Sequence, residues 1–204
     1  MDSTSEQVAT RPAGLTQSQN ARRARMLEVT AELAVEGGWD AVQMREVAQR
    51  ADVALGTLYR YFPSKEYLLV SVMIHDIEGL ADRLSVRPPE GDDPVERVVD
   101  VLRRANRALL RDPQVTVAMI RALVSGNKDI APAVMTTRVL MRRIISDALD
   151  SDGVAEGEAG ERDLLVIDLL GDIWLAALVS WISGVAPDTS LVPKLESATR
   201  LLLS

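Results

Sequence analysis

The chain has 204 residues, of which 23 are Lys or Arg, 30 are Asp or Glu, one is His and none is Cys. A chain of this length buries a sizeable apolar core without disulfides or metals. The lack of cysteine excludes disulfides, zinc–thiolate sites, iron–sulfur ligation and thiol nucleophiles, and one histidine excludes a multi-histidine metal site. We therefore expect neither a metal nor a cofactor.

The net charge of −7 is unevenly spread along the chain. Residues 1–65 carry eight basic and eight acidic side chains, whereas residues 66–204 carry 15 basic and 22 acidic ones. Binding to a phosphate backbone depends on the local placement of charge. The acidic total therefore does not exclude nucleic acid as a partner.

The sequence shows neither a signal peptide nor a membrane span. Residues 1–14 are polar, and the longest uncharged apolar run, Ile173–Pro187, has 15 residues. A membrane helix needs about 20. We expect a soluble, cytoplasmic protein that does not enter a membrane.

Helical periodicity dominates the chain from residue 16 onward, and no segment alternates as a strand does. Residues 1–15 lack a periodic apolar pattern and are predicted to be a disordered tail. Thr16 and Gln19 are predicted to form a capping box at the start of a first helix that ends at Gly37–Gly38. Ser64 and Asp93 are predicted N-caps of later helices.

Nine helices are predicted in all, so the expected fold class is all-α. After the first, they span about residues 44–51, 55–61, 64–84, 93–111, 112–124, 131–149, 162–183 and 191–203. Residues 151–160, rich in Gly, Ala and Glu, are predicted to be a mobile connection.

The second and third helices have the spacing of a helix-turn-helix unit, whose second helix enters a DNA major groove. Four apolar residues are predicted to lock the two helices together: Val47, Ala48, Val53 and Leu58. Gly56 has no side chain, so its backbone can approach a phosphate closely.

Basic residues at predicted helix starts are a second indication of an anionic partner. Arg22, Arg23 and Arg25 fall in the first helix, Arg45 opens the second and Lys65 opens the fourth. The amino-terminal end of a helix is partially positive, so a cation there is unfavourable unless an anion is bound.

The third helix presents Thr57, Tyr59, Arg60 and Tyr61, side chains that can contact phosphates or base edges. The alternative is that Tyr59 and Tyr61 only pack the small domain, since aromatic residues at helical spacing are usually core. The sequence does not decide between the two.

The stretches MREVAQRADVALG and GTLYRYFPSKEYLL resemble the TetR family of one-component transcriptional repressors. The resemblance implies a helix-turn-helix DNA-binding domain at residues 16–63 and an effector-binding and dimerisation domain at residues 64–204. One departure is Gln43–Met44, where many members have Thr. The predicted DNA-binding residues are Arg22, Arg23, Gln43, Met44, Arg45, Leu55, Gly56, Thr57, Tyr59, Arg60, Tyr61 and Lys65.

The resemblance also implies a central effector cavity and a homodimer that binds a palindromic operator. The predicted effector-binding residues are Met73, Ile77, Leu102, Ala105, Leu109, Met119, Ile120, Leu123, Met135, Val139, Trp174 and Leu178. The predicted dimerisation residues are Leu165, Leu169, Trp181, Leu195 and Leu202. An apolar stripe containing Met is otherwise typical of an ordinary core.

Further stretches, among them GDIWLAALVSWIS and KLESATRLLLS, are similar to the sterol-catabolism repressors of actinobacteria. This similarity implies a steroid acyl-CoA or related lipid as the effector. Five arginines are candidates for contacting its phosphates, or are simply solvated: Arg104, Arg107, Arg138, Arg142 and Arg143.

Two other classes of protein remain as alternatives. The first is a helical lipid- or acyl-CoA-binding protein with no role in DNA binding. The second is a small enzyme that depends on His75, which precedes Asp76. No catalytic motif surrounds that histidine, so we do not expect an enzyme.

Overall fold

The computed structural model describes residues 17–149 and 161–203, which form nine α-helices, two short 3-10 helices and no strand. The predicted tail, the cap at Thr16 and the connection at residues 151–160 lie outside the described residues. The all-α fold class is confirmed. The helices are α1 (Gln17–Ala41), α2 (Met44–Arg50), α3 (Leu55–Tyr61), α4 (Lys65–Val86), α5 (Pro94–Arg111), α6 (Pro113–Leu123), α7 (Ala131–Leu149), α8 (Glu161–Ile182) and α9 (Leu191–Leu203).

Two predicted N-caps start the helices α4 and α5. The Ser64 hydroxyl accepts a hydrogen bond from the Tyr67 backbone N–H at 3.1 Å. The Asp93 carboxylate accepts one from the Glu96 N–H at 2.8 Å, and the Glu96 carboxylate accepts one from the Asp92 N–H at 3.0 Å. Each cap satisfies a backbone donor that the helix itself leaves unpaired.

A kink at Gly37–Gly38 divides α1, at the point where the sequence predicts its end. Gly38 has φ 61° and ψ −148°, a conformation essentially restricted to glycine. Helical hydrogen bonding resumes beyond the kink as far as Ala41. Trp39 therefore lies in the short segment beyond the kink.

The first three helices share one apolar core with the rest of the chain. Phe62, Met26 and Leu58 from this region belong to the same buried cluster as Ile120 of α6 and Leu178 of α8. The helix α1 packs most extensively against α6. A second cluster joins α4, α5, α7, α8 and α9. The N-terminal helices are thus held against the following helices by apolar packing.

The buried Arg97 of α5 completes the end of α7. Its Nε donates to the Ala148 carbonyl at 2.9 Å, and its Nη2 donates to the Leu149 carbonyl at 3.4 Å. A guanidinium at this position satisfies terminal carbonyls and is favoured by the helix dipole. The contact fixes α5 against the end of α7.

Within the described residues, one helix, α8, is long and apolar enough to cross a membrane by length and composition alone. It nevertheless carries Asp168 and Asp172, which form ion pairs with Arg142 and Arg138 of α7. It also packs against α7 and α9. We interpret α8 as a helix that packs against protein.

Candidate nucleic-acid interface and internal cavity

The helices α2 and α3 form a compact pair joined by the turn at residues 51–54. Asp52 adopts φ 53°, and the Val53 N–H donates to the Ala48 carbonyl at 3.0 Å. Val47, Ala48 and Leu58 are buried, and Val53 packs against the same cluster. The predicted apolar lock of a helix-turn-helix unit is confirmed.

The outer surface of this pair is polar and open. Arg22, Gln43, Arg45 and Arg60 are exposed, and the Tyr59 side chain is 46% exposed. At Gly56, an added Cβ would meet no atom within 4 Å. A phosphate backbone can therefore approach α3 without steric hindrance.

Other predicted DNA-binding residues also pack within the protein. Met44, Leu55 and Tyr61 contact the first apolar cluster, and Thr57 is half-buried. The Arg23 guanidinium lies 5.7 Å from the centre of the buried Phe62 ring. Tyr61 thus packs within the domain, as the alternative interpretation predicts, whereas Tyr59 is exposed.

Lys65 is held by the turn that follows the α1 kink. Its Nζ donates to the Trp39 carbonyl at 2.5 Å and lies 4.3 Å from the centre of the indole ring. Desolvation, aided by the nearby Arg121, lowers the pKa of Lys65, while Asp40 opposes that shift. The ammonium is thus only partly available to an outside phosphate in this conformation.

The cations at the helix starts are less exceptional than the sequence suggests. The helix α1 begins at Gln17, so Arg22 and Arg23 lie beyond its first turn. In the first turns of α2 and α4, Glu46 and Glu66 accompany Arg45 and Lys65. These carboxylates offset the unfavourable interaction with the helix dipole. The exposed residues of α2 and α3 therefore support DNA binding better than the dipole argument does.

A cavity of about 300 Å³ lies among α4, α5, α6, α7 and α8. Its walls are mainly apolar, which suits a lipophilic ligand. Nine of the twelve predicted effector-binding residues line it: Met73, Ile77, Leu102, Ala105, Leu109, Ile120, Leu123, Trp174 and Leu178.

The structure places the other three predicted residues away from the cavity. Met119 is buried in the first apolar cluster, and Met135 and Val139 are each 59% exposed on the outside of α7. The cavity side of α7 instead carries Val134, Thr137, Arg138, Met141, Arg142 and Ile145. Because α7 has apolar residues on both sides, the periodicity of its sequence does not show which side faces the cavity.

Polar groups that sequence reasoning missed also line the cavity. Asp168 and Asp172 of α8 pair with Arg142 and Arg138 of α7, at 2.5 Å and 2.8 Å respectively. Arg142 Nε is the one buried side-chain nitrogen or oxygen of the described residues that has no hydrogen-bond partner. It is a donor available to a ligand oxygen.

Asn106 orients the indole that lines the cavity. Its Oδ1 accepts a hydrogen bond from Trp174 Nε1 at 3.0 Å, and its Nδ2 donates to the Leu102 carbonyl at 2.9 Å. Asn106 is buried in the middle of α5. The sequence does contain a signal for this role, since a single Asn on the apolar side of an amphipathic helix indicates a buried amide that needs hydrogen-bond partners.

Of the five candidate phosphate contacts, only Arg138 and Arg142 line the cavity, and both are paired there. Arg104 pairs with Asp100 at 2.6 Å, and Arg143 lies 4.0 Å from Asp147. Arg107 is exposed on α5.

The predicted dimerisation residues separate into two groups. Leu165 and Leu169 of α8 are 59% and 39% exposed and are available to a second chain. Leu195 is buried in the second cluster, and Trp181 and Leu202 pack against the apolar clusters. The exposed leucine of α9 is Leu201, which sequence reasoning missed.

A helix-turn-helix pair packed against a helical body is the architecture of a DNA-binding protein, and the apolar cavity in that body is suited to a small ligand. Two family models match the chain: "Bacterial regulatory proteins, tetR family" over residues 26–72, and "Tetracyclin repressor-like, C-terminal domain" over residues 91–202. The chain belongs to the TetR family of transcriptional repressors.

A similar protein is the HTH-type transcriptional repressor KstR of Rhodococcus jostii, with 41% identity over 91% of this chain and 84% of the relative. A TetR transcriptional regulator from Rhodococcus sp. RHA1 has a similar structure, with a TM-score of 0.82, 37% identity and coverage of 92% and 98% of the two chains. The relatives are repressors and not enzymes, so neither alternative class is supported.

A more distant structure has the same fold. Thermus thermophilus FadR, a TetR-family repressor in complex with lauroyl-CoA, has a TM-score of 0.68 and 23% identity, with coverage of 89% of this chain and 93% of that one. At this identity the similarity extends to the fold alone.

We predict that Gly56→Ala separates stability from DNA binding. The new methyl group meets open space, so α3 gains about 0.5–1 kcal/mol in helix propensity. The same methyl group stands where a phosphate would approach, so DNA affinity falls about tenfold. Urea unfolding and fluorescence anisotropy at fixed salt measure the two effects.

Gly79→Ala in α4 is the matched control, because its methyl group meets only the flexible end of Arg83, at 3.3 Å. It should leave DNA affinity unchanged. Wild-type affinity in Gly56→Ala would show that the α3 backbone does not approach DNA.

We predict that Asp76→Asn stabilises the fold in a pH-dependent way. Asp76 is an exposed residue that lines the cavity, and partial desolvation there raises its pKa above the ordinary 3.8 despite attraction from His75, Arg111 and Arg83. A carboxyl with a raised folded-state pKa destabilises the fold once it ionises. The free energy of unfolding of Asp76→Asn should therefore exceed the wild-type value at about pH 7.5, and the difference should shrink as the pH falls toward 3.8.

Urea unfolding over this pH range tests the prediction, with Asp82→Asn as the control, because Asp82 is on the same helix but does not line the cavity. A stability gain that is independent of pH would contradict it.

Proposed function

We propose that this repressor is a cytoplasmic homodimer that binds a palindromic operator and is released by a small lipophilic effector. We further propose that the effector is a steroid acyl-CoA or related lipid and that the regulated genes serve sterol or lipid catabolism. The observation that carries the proposal is the apolar cavity, which shares α4 and α6 with the core under the helix-turn-helix pair.

The proposed DNA face centres on the exposed residues of α2 and α3. Arg45 and Arg60 supply charge, Tyr59 supplies a phenolic hydroxyl, and Gly56 supplies an open backbone. Such groups contact phosphates and position the second helix in a major groove. A single short helix contacts few bases, so two copies related by a two-fold axis give the specificity of a longer site.

The proposed effector chemistry follows from the walls of the cavity. Apolar side chains from five helices suit a steroid or fatty body, and Arg142 Nε suits one ligand oxygen. The similarity to KstR supports a regulator of the same kind. The FadR structures with lauroyl-CoA and stearoyl-CoA support acyl-CoA as a ligand class that this fold accommodates.

Release of DNA requires the effector to bind one conformation better than the other. A ligand in the cavity contacts Met73 and Ile77 of α4 and Ile120 of α6, and both helices also contact α1. A movement of α4 or α6 that enlarges the cavity would therefore shift the helix-turn-helix pair. In a dimer, this changes the separation of the two DNA-binding surfaces.

Selection of bound DNA from a random pool tests the proposal. We expect enrichment of a palindrome, and release of that DNA by cholanoyl-CoA in preference to lauroyl-CoA, free CoA or cholanoic acid. Arg45→Ala should weaken binding and lower the salt dependence by about one unit of slope. Arg143→Ala, an exposed arginine of α7, is the matched control and should have no effect.

The outcomes of this selection separate the parts of the proposal. If no sequence is enriched, DNA binding fails. If a palindrome is enriched but lauroyl-CoA alone releases it, the steroid assignment is wrong while the repressor mechanism stands.

We also predict that Leu165→Glu combined with Leu169→Glu yields monomers. The charges would be placed on the exposed apolar side of α8, where desolvation on dimerisation opposes them. Val86→Glu at the end of α4 is the control, since Val86 is also apolar and is 87% exposed. Sedimentation velocity distinguishes the states, and a persistent dimer in the double variant would place the dimer contact elsewhere.

A further inference from the structure

Trp39 joins two cations that come from different parts of the chain. Lys65 Nζ lies 4.3 Å from the indole centre and donates to the Trp39 carbonyl, while the Arg121 guanidinium carbon lies 4.6 Å from the same centre. Both distances fall within the range of a cation–π interaction. Lys65, at the start of α4, is a predicted DNA-binding residue, whereas Arg121 belongs to α6 beside the cavity.

The last turn of α6 contacts the cavity with one side and Trp39 with another. Ile120, directly before Arg121, lines the cavity, as does Leu123 two residues later. Arg121 itself is exposed. Because an α-helix turns by about 100° per residue, Arg121 projects away from the cavity while its neighbours face it. Trp39 directly follows Gly38, whose backbone adopts a glycine-only conformation.

A second contact connects the start of α4 with the segment after α6. Asn127 Nδ2 lies 3.4 Å from the Ser64 hydroxyl oxygen and 3.5 Å from a Glu66 carboxylate oxygen. The residues on both sides of Lys65 are thus held by the loop that continues from α6. The start of α4, which includes Lys65, is thus in contact with the loop that follows α6.

We propose that Arg121 and Trp39 are positioning residues for Lys65, an inference that rests on the proposed function. The Lys65 ammonium can interact either with the carbonyl and ring of Trp39 or with a DNA phosphate, and these two interactions compete. Arg121 competes for the same indole and repels Lys65, so it favours transfer of the ammonium to the phosphate. A shift of α6 changes the distance between Arg121 and Trp39 and thereby the availability of Lys65.

A double-mutant cycle of Arg121→Ala and Lys65→Ala tests the inference with the full-length protein and the selected DNA. Arg121→Ala should lower DNA affinity about fivefold in the wild-type background, and less than about twofold when Lys65 is already Ala. Each single variant should reduce the salt slope by about one, and the double variant should reduce it no further.

Three controls distinguish positioning from a general loss of charge or structure. Arg121→Lys keeps a cation at the indole and should restore affinity. Arg107→Ala removes an exposed arginine of α5 without touching Trp39 and should have no effect. In Trp39→Leu, removal of Arg121 should change nothing, and thermal unfolding reports whether that variant folds.

The cycle distinguishes this inference from the proposed function. If the wild-type protein binds the selected DNA but Arg121→Ala lowers DNA affinity equally in the wild-type and Lys65→Ala backgrounds, the positioning role is wrong. The proposed repressor function would then stand. Failure of the wild-type protein to bind any selected DNA would overturn both.

Discussion

The structure depends on the burial of α1 against α6. Met26, Leu27 and Leu33 of α1 belong to the same apolar cluster as Met119 and Ile120 of α6, so the DNA-binding helices and the cavity wall have one core. Close packing of this kind transmits displacement, because buried side chains leave few voids to absorb it. In the mechanism that we propose, a ligand that moves α6 would therefore act on the N-terminal helices without a separate signalling element.

Much of the fold could be predicted from local sequence signals. Ser64 and Asp93 start their helices as expected, and the glycine pair breaks α1 where the sequence places its end. These signals are local because a cap or a positive φ needs only neighbouring residues. The apolar lock of α2 and α3 is equally local, since a turn of four residues fixes which sides meet.

The cavity was harder to predict because its walls come from five helices. Single-helix periodicity identifies an apolar side but not whether it faces core, cavity or solvent. Periodicity therefore predicts Met119, Met135 and Val139 in the cavity, although the first is in the core and the other two are exposed. It likewise predicts Leu195 at the dimer contact, although Leu195 is buried within its own chain. Asn106 and Asp168 were missed because their roles depend on partners far along the sequence.

Several cations of the N-terminal region have a second role inside the protein. Arg23 lies over Phe62, and Lys65 lies over Trp39. Their intramolecular contacts are with aromatic rings and a carbonyl, which a phosphate can replace more readily than it can displace a carboxylate. If Arg23 and Lys65 contact DNA as we propose, DNA binding competes with these internal contacts, and DNA affinity then depends on the position of α6.

The most direct test of this account is hydrogen–deuterium exchange across the chain with and without the selected DNA. If the DNA face and the cavity share one core, DNA should change exchange in α3 and at the start of α4, and also in α6 and the cavity side of α4. Changes confined to α1, α2 and α3 would contradict the account, because the cavity would then have no means of sensing the operator.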